Sequence, residues 1–305
     1  MSAVNRSGEG RVVEPLSILP AHAKINLRLQ VFERDEAGYH ALETIFLLLS
    51  LHDTVEVGDS DEGIVVAVDG EAAGDVPVGP DNLCWHAAEA FFHAVGEPPR
   101  ADIRLHKRIP AGTGLGGGSA DAAAVLRLLN TRVRRPLGEA ELLRLGGELG
   151  SDVPFALLGA PMALGWERGR RLLPLGPPAP LPGLVWIAPV RVQTRDAYEW
   201  LREVPRDSRA GALPGARRLA EWDTLARLAH NDFESVLFPR YPELATCCDA
   251  LRSAGSTIAG MTGSGSALFG VFPDEQTRNA AAERLTGSGV GTQPGWQVLK
   301  VDLPL

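Results

Sequence analysis

Over residues 21–31 the chain alternates without interruption: Ala21, Ala23, Ile25, Leu27, Leu29 and Val31 fall on one side, His22, Lys24, Asn26, Arg28 and Gln30 on the other. A period of two sends successive side chains to opposite faces, so this segment predicts a half-buried strand with a polar face. A turn containing Gly38 is expected over 33–40, followed by strands over 44–51, 54–57 and 63–68. The period then changes. Leu83, Ala87, Ala90, Phe91 and Ala94 recur at helical spacing and predict a helix over 82–95. A strand over 103–109 runs into Pro110 and a cluster of glycines. Beyond it the Ala- and Leu-rich residues 120–130 predict a helix, with Ser119 placed as its N-cap, and a second helix is expected over 138–149.

Residues 174–182 are dense in proline and glycine and read as a connection. After it come a strand over 184–189, helices around Tyr198 and Leu225, a helix over 245–253, a second glycine-rich turn over 262–266 and a strand over 267–272. Strands and helices mixed in both halves, with no internal repeat, predict an α+β fold. A chain of 305 residues is long for a single core, so two lobes with a cleft between them are expected, over 15–165 and 166–305. Residues 1–14 are polar and glycine-containing and read as a disordered tail.

Composition narrows the function classes. With 45% apolar and 22% charged residues the chain is of ordinary globular type. A net charge of -8 speaks against nucleic-acid binding, which depends on neutralising phosphates, but not against a small anionic ligand held at a local positive site. Cys84, Cys247 and Cys248 have neither metal-ligand spacing nor the pattern of a disulfide framework, which fits a cytoplasmic location. No apolar run reaches membrane-spanning length, and the first residues lack the apolar core of a secretory signal.

The run Pro110, Ala111, Gly112, Thr113, Gly114, Leu115, Gly116, Gly117, Gly118, Ser119 and Ala120 carries the most chemistry. Glycines let a backbone approach a polyphosphate and present its N–H groups, and a helix start just beyond adds a favourable dipole. A dinucleotide fold is excluded by context, because a second helix follows the first where a strand is required. No G-x-x-x-x-G-K-[ST] is present, nor the His-Arg-Asp and Asp-Phe-Gly elements of protein kinases.

Pro110 through Gly114-Leu115 to Gly118-Ser119-Ala120 resembles the phosphate-binding motif of the GHMP kinases, in the elongated form typical of the diphosphocytidyl-methylerythritol kinases. Three further segments match in order: Ala23-Lys24-Ile25-Asn26 with Gly38-Tyr39-His40, then Gly150-Ser151-Asp152-Val153-Pro154, then Thr262-Gly263-Ser264-Gly265. Where many relatives have Ser-Ser-Asn, this chain has Ser119-Ala120-Asp121, one hydroxyl fewer and a carboxylate more. The resemblance implies a two-lobed fold with an N-terminal ATP-binding lobe, a C-terminal lobe and the active site in the cleft. It implies ATP as phosphoryl donor with Mg2+, whose ligands stay open. The acceptor it implies is the 2-hydroxyl of a cytidine diphosphate-linked methylerythritol, in non-mevalonate isoprenoid precursor synthesis. It leaves monomer or homodimer undecided.

By the same resemblance Lys24 and Asp152 form the catalytic pair. From pattern alone Lys24 reads as a solvent-facing strand residue and Asp152 as the cap of a short helix. Tyr39 and His40 resemble the pair that stacks on and hydrogen-bonds cytosine, Tyr198 a second aromatic on that base, Asn26 a grip on the acceptor, and Gly263, Ser264 and Gly265 a closure on the diphosphate. As plain structure, Tyr198 is a buried helix residue and 262–265 a tight turn. His230-Asn231-Asp232 is assigned a structural role. The rival readings are a GHMP kinase acting on mevalonate or a sugar-like alcohol, which offers no base to Tyr39 and His40, and a non-catalytic nucleotide-binding regulator.

Overall fold

The alternating segment lies within a long strand, β1 (Ser17–Arg34), antiparallel to a second long strand, β2 (His40–Gly58). The computed structural model describes residues 16–34, 40–167, 169, 171–204, 213–287 and 294–305. The tail expected over 1–14 and most of the turn around Gly38 lie outside the described residues. The two strands expected over 44–51 and 54–57 are one, and its two halves have different outer neighbours. Residues Thr54 to Gly58 pair with β4 (Ala101–His106), whereas Glu43 to Leu47 pair with β5 (Met162–Trp166), which in turn pairs with β6 (Arg171–Pro174). On the far side of β4 lies β3 (Ile64–Asp69), parallel to it and reached through helix α1 (Leu83–Val95).

Three more helices, α2 (Gly117–Arg132), α3 (Glu139–Leu149) and α4 (Val153–Leu158), complete the helical layer. Phe91 of α1, Val125 of α2 and Val153 share a core with Ala21, Val55 and Ile103 of the sheet. A second sheet of four antiparallel strands has the order β11-β7-β10-β9, made of β7 (Leu181–Ile187), β9 (Ile258–Met261), β10 (Leu268–Val271) and β11 (Gln297–Leu303). Around it pack α5 (Thr194–Leu201), α6 (Trp222–Leu228), α7 (Glu234–Arg240), α8 (Pro242–Ser253) and α9 (Glu275–Gly287). No described helix is long and apolar enough to cross a membrane.

The apolar side of β1, with Ala23, Ile25 and Leu27, meets Val185, Phe269 and Val301 of the second sheet in a core shared by both sheets. The expectation of a half-buried strand fails on the other side. Lys24, Asn26 and Arg28 are 5%, 3% and 3% exposed, because later parts of the chain cover the polar face and satisfy its hydrogen-bonding groups.

One of those parts is β8 (His230–Asn231), which pairs in parallel with β1 at Arg28 and Leu29. Asn231 is buried and uses its whole amide. Nδ2 donates to the carbonyls of Met261 (2.7 Å) and Gly263 (2.9 Å), and Oδ1 accepts from the N–H of Phe233 (3.0 Å). Asp232 adds a carboxylate that accepts from the Val31 N–H at 2.7 Å. The structural role expected for this segment is thus to join the first sheet to the second glycine turn. Asn231→Leu strands these groups in the interior and should cost about 2–4 kcal/mol of stability, given the penalty for buried unsatisfied groups. Urea unfolding checks this, and a loss below about 0.5 kcal/mol would show the turn to be held without it.

Candidate active site

A cavity of about 600 Å³ opens where the polar face of β1 meets both glycine turns, lined among others by Lys24, Asn26, Thr44, Asp152, Tyr198 and Ser264. Lys24 lies just after a register shift in β1, and its main-chain N–H donates to the carbonyl of Leu115 at 2.9 Å. That bond fastens the first glycine run to the strand. Its ammonium donates to Asn26 Oδ1 (2.6 Å) and pairs with Asp152 Oδ2 at 3.1 Å, 5.7 Å from the centre of the Phe46 ring. Asn26 is fixed in turn. Its Nδ2 donates to Thr44 Oγ1 at 2.8 Å, and its main-chain N–H donates to Thr262 Oγ1 at 2.9 Å.

Both structural alternatives for the pair can now be compared with the geometry. Lys24 does not face solvent. Asp152 immediately precedes α4, yet its side chain makes no capping hydrogen bond and its carboxylate turns to the lysine.

The glycines of the first run divide into two groups. Gly112, Gly114 and Gly116 have φ of +72°, +84° and +75°, a left-handed region that side chains avoid. Gly117 and Gly118 are already helical. Helix α2 therefore starts at Gly117 with Gly116 before it, and Ser119 is its third residue instead of the expected N-cap. The reason is conformational: Gly116 makes the turn into the helix with its own backbone, which removes the need for a side-chain cap at Ser119.

Space as well as φ demands glycine here. A Cβ on Gly114 would come within 2.4 Å of the Thr262 carbonyl oxygen, and one on Gly263 would stand 3.2 Å from Gly114 Cα. A Cβ on Gly116 would press on the Lys24 side chain at 3.0 Å. The two glycine turns thus touch backbone to backbone, and Ala267 N–H donates to the Thr113 carbonyl (3.0 Å) beside them.

Of the other expected site residues, Tyr198 on α5 lines the cavity and stands edge-on to Phe233, with ring centres 4.9 Å apart. Burial, with the charge of Asp152 adding to it, pushes the Tyr198 hydroxyl up to about 12, so it stays protonated at neutral pH. Ser264 Oγ lies 3.0 Å from Thr194 Oγ1 at the start of α5. Gly263 and Gly265 share the cavity wall. Tyr39 lies outside the described residues, and His40 is the first residue of β2, its side chain likewise outside them.

Sequence reasoning missed several lining residues. Asn82 caps α1, its Oδ1 accepting from Cys84 N–H at 2.8 Å and its Nδ2 donating to the Pro77 carbonyl at 2.7 Å. The cap itself was readable from an Asn preceding an apolar periodic run. Arg191, an exposed cation paired with Asp75, carried no local signal. Asp121, expected as a carboxylate near the phosphates, is 2% exposed and ion-paired with Lys107. Its carboxyl is pushed up to about 7, by burial first and by the nearby Asp53, with Lys107 opposing. Among the described residues no group of three or more His, Cys, Asp or Glu is placed to hold a metal ion.

Comparison with known proteins fits this geometry. Residues 82–160 match the model of the GHMP kinases N terminal domain and 212–291 that of the GHMP kinases C terminal region. The fold also resembles a homoserine kinase from Cytophaga hutchinsonii (TM-score 0.68, 17% identity, covering 97% of this chain and 96% of that one), a likeness of fold alone. Both halves therefore carry the GHMP kinase architecture. A 4-diphosphocytidyl-2-C-methyl-D-erythritol kinase from Solibacter usitatus is 42% identical over 274 residues, 88% of this chain and 84% of its own length. A crystal structure of 4-(cytidine 5'-diphospho)-2C-methyl-D-erythritol kinase superposes with a TM-score of 0.74 at 34% identity, covering 94% of this chain and 99% of that one. This chain belongs to the 4-diphosphocytidyl-2-C-methyl-D-erythritol kinase family of GHMP kinases.

Gly114→Ala tests whether the two turns need their close approach. The added methyl both opposes the positive φ and meets the Thr262 carbonyl, so a loss of about 2–4 kcal/mol in stability is expected. Gly118→Ala, in a helix with open space around its Cβ, should instead be neutral or slightly stabilising. Equal thermal midpoints for wild type and Gly114→Ala would contradict the contact.

Proposed function

We propose that the chain transfers the γ-phosphoryl group of ATP to the 2-hydroxyl of 4-diphosphocytidyl-2-C-methyl-D-erythritol, and that Lys24 and Asp152 are the residues that assist the transfer. The observation carrying this reading is the pairing, at 3.1 Å beside the glycine run, of a buried ammonium with a partly exposed carboxylate, in a chain of this family.

Phosphoryl transfer leaves little covalent chemistry to the protein, which must align donor and acceptor and stabilise charge. A bond forms between the acceptor oxygen and the γ-phosphorus while the bond from that phosphorus to the β,γ-bridging oxygen breaks. The acceptor proton passes to the Asp152 carboxylate. Lys24, held by Asn26 Oδ1 and Asp152 at once, directs its ammonium toward the same place, where it orients the hydroxyl and offsets developing negative charge. The N–H groups of residues 111–119 and the N-terminus of α2 supply the donors for the ATP phosphates. Mg2+ bound with ATP would supply further charge neutralisation.

On the acceptor side we assign Tyr39 and Tyr198 to stacking on cytosine, His40 to its edge, Asn26 to the reacting end, and Gly263, Ser264 and Gly265 to the diphosphate. The aromatic and histidine assignments rest on motif position, supported for Tyr198 by its place on the cavity wall.

Lys24→Ala and Asp152→Asn should each lower kcat by about a hundredfold or more, the scale of a lost electrostatic or acid–base contribution, with the fold intact by circular dichroism. Near-normal turnover in either variant removes that residue from the mechanism.

An assay of ADP release should show turnover with the cytidylyl substrate and none above background with mevalonate or homoserine. Tyr39→Ala and His40→Ala should each weaken binding of that substrate by about tenfold while leaving ATP binding unchanged, since each removes one contact to the base. Titration calorimetry of both ligands separates the outcomes: an undiminished substrate affinity would exclude the assigned base grip.

A further inference from the structure

Under the first glycine run lies a group of three charges that the phosphoryl-transfer mechanism does not use. Lys107 follows directly on β4 and precedes the run, Asp121 is the fifth residue of α2 and follows it, and Asp53 comes from β2. All three are buried, Asp53 completely. Lys107 Nζ is 2.5 Å from Asp53 Oδ2 and ion-paired with Asp121 Oδ2. The second oxygen of Asp53 accepts the main-chain N–H groups of Arg108 (2.5 Å) and Ile109 (2.8 Å), the two residues that lead into the run. Lys107 is itself held by main-chain bonds, donating to the Asp69 carbonyl (2.8 Å) and accepting from Ala72 N–H (3.1 Å).

The exit is fitted to the same group. A Cβ on Gly117, where α2 begins, would stand 3.4 Å from Asp53 Oδ2 and 2.9 Å from Ile109. One ammonium therefore touches the carboxylate that fixes the entry of the glycine run and the carboxylate on the helix at its exit.

Taking the glycine run as the ATP phosphate loop, as proposed above, we propose that Lys107 and Asp121 form a clasp across the neck of that loop, anchored by Asp53, and act as positioning residues for ATP. A glycine-rich loop has many conformations to lose, so ordering it at the moment of binding weakens the complex. Fixing both ends beforehand shortens the free segment and aims its N–H groups. A contact serving the core alone would gain nothing from this composition. Two buried carboxylates sharing one ammonium are often no more stabilising than apolar residues of the same volume, and Asp121 Oδ1 has no hydrogen-bond partner among the described residues. What an ion pair adds is direction.

The proposal is tested by titration calorimetry of ATP and of the cytidylyl substrate on the full chain, comparing wild type with Asp121→Ala and Asp121→Asn. Both variants remove the same charge, so any general field effect on ATP is equal in the two. Only the asparagine keeps an oxygen able to accept from Lys107 Nζ. Asp121→Ala should weaken ATP binding tenfold or more, Asp121→Asn less than threefold, and substrate affinity should hold in both. Should Asp121→Ala fail to fold, Lys107→Met opens the clasp from its other side and should give the same ATP-selective loss. Equal ATP losses in the alanine and asparagine variants, equal losses for ATP and substrate, or an Asp121→Ala protein that binds ATP like wild type would each overturn the clasp. A wild-type protein that binds substrate but not ATP would overturn the phosphate-loop reading itself, and the clasp with it.

Discussion

The outer edge of β1 organises the molecule. A strand edge presents main-chain N–H and C=O groups that must find partners, and left bare it invites pairing with another chain. Here the partners are assembled piecemeal. The Lys24 N–H is taken by Leu115 of the first glycine run, the Asn26 N–H by Thr262 of the second, and the Val31 N–H by Asp232. Arg28 and Leu29 pair with β8. The segments that complete this edge are also those that form the cavity. Satisfying the backbone of one strand and bringing the two glycine turns and the lysine together are thus a single structural event.

The buried ammonium of Lys24 is the electrostatic counterpart of that edge. A lysine 5% exposed is tolerated only if its charge is met, and Asn26 and Asp152 meet it from the same strand and from the start of α4. Asp152 is thereby held facing the cavity without being spent as a helix cap. Where the two glycine turns approach one another at Gly114 and Gly263, contact is made by backbone, so it can be close without a side chain standing between the turns.

Local chemistry was legible wherever it was carried by local pattern. The alternation of β1, the helical period of 83–95 and the glycine run all appear close to where the sequence places them. The same local logic misjudged what later segments cover. The polar face of β1 reads as solvated because nothing near residue 26 announces that Thr262, 236 positions on, will sit on it. Ser119 reads as a cap because Ser before an Ala-rich run normally is one, whereas Gly116 makes the turn first. The Lys107, Asp53 and Asp121 group was invisible for a third reason. Asp121 stands out as a carboxylate added at the end of the glycine motif, but Lys107 and Asp53 look like surface charges, and only the pairing of β4 with β2 brings the three together.

The pairing of β8 with β1 also has a consequence for how the protein is made. The strand that founds the first sheet leaves the ribosome before the residue that completes its edge, since its Val31 N–H is met by Asp232, 201 residues later. At about 5–20 residues per second that interval is roughly 10–40 s, during which the first sheet exists with an unfinished side. The same residues that later line the cavity are, in the nascent chain, an open seam that only the second half of the protein can close.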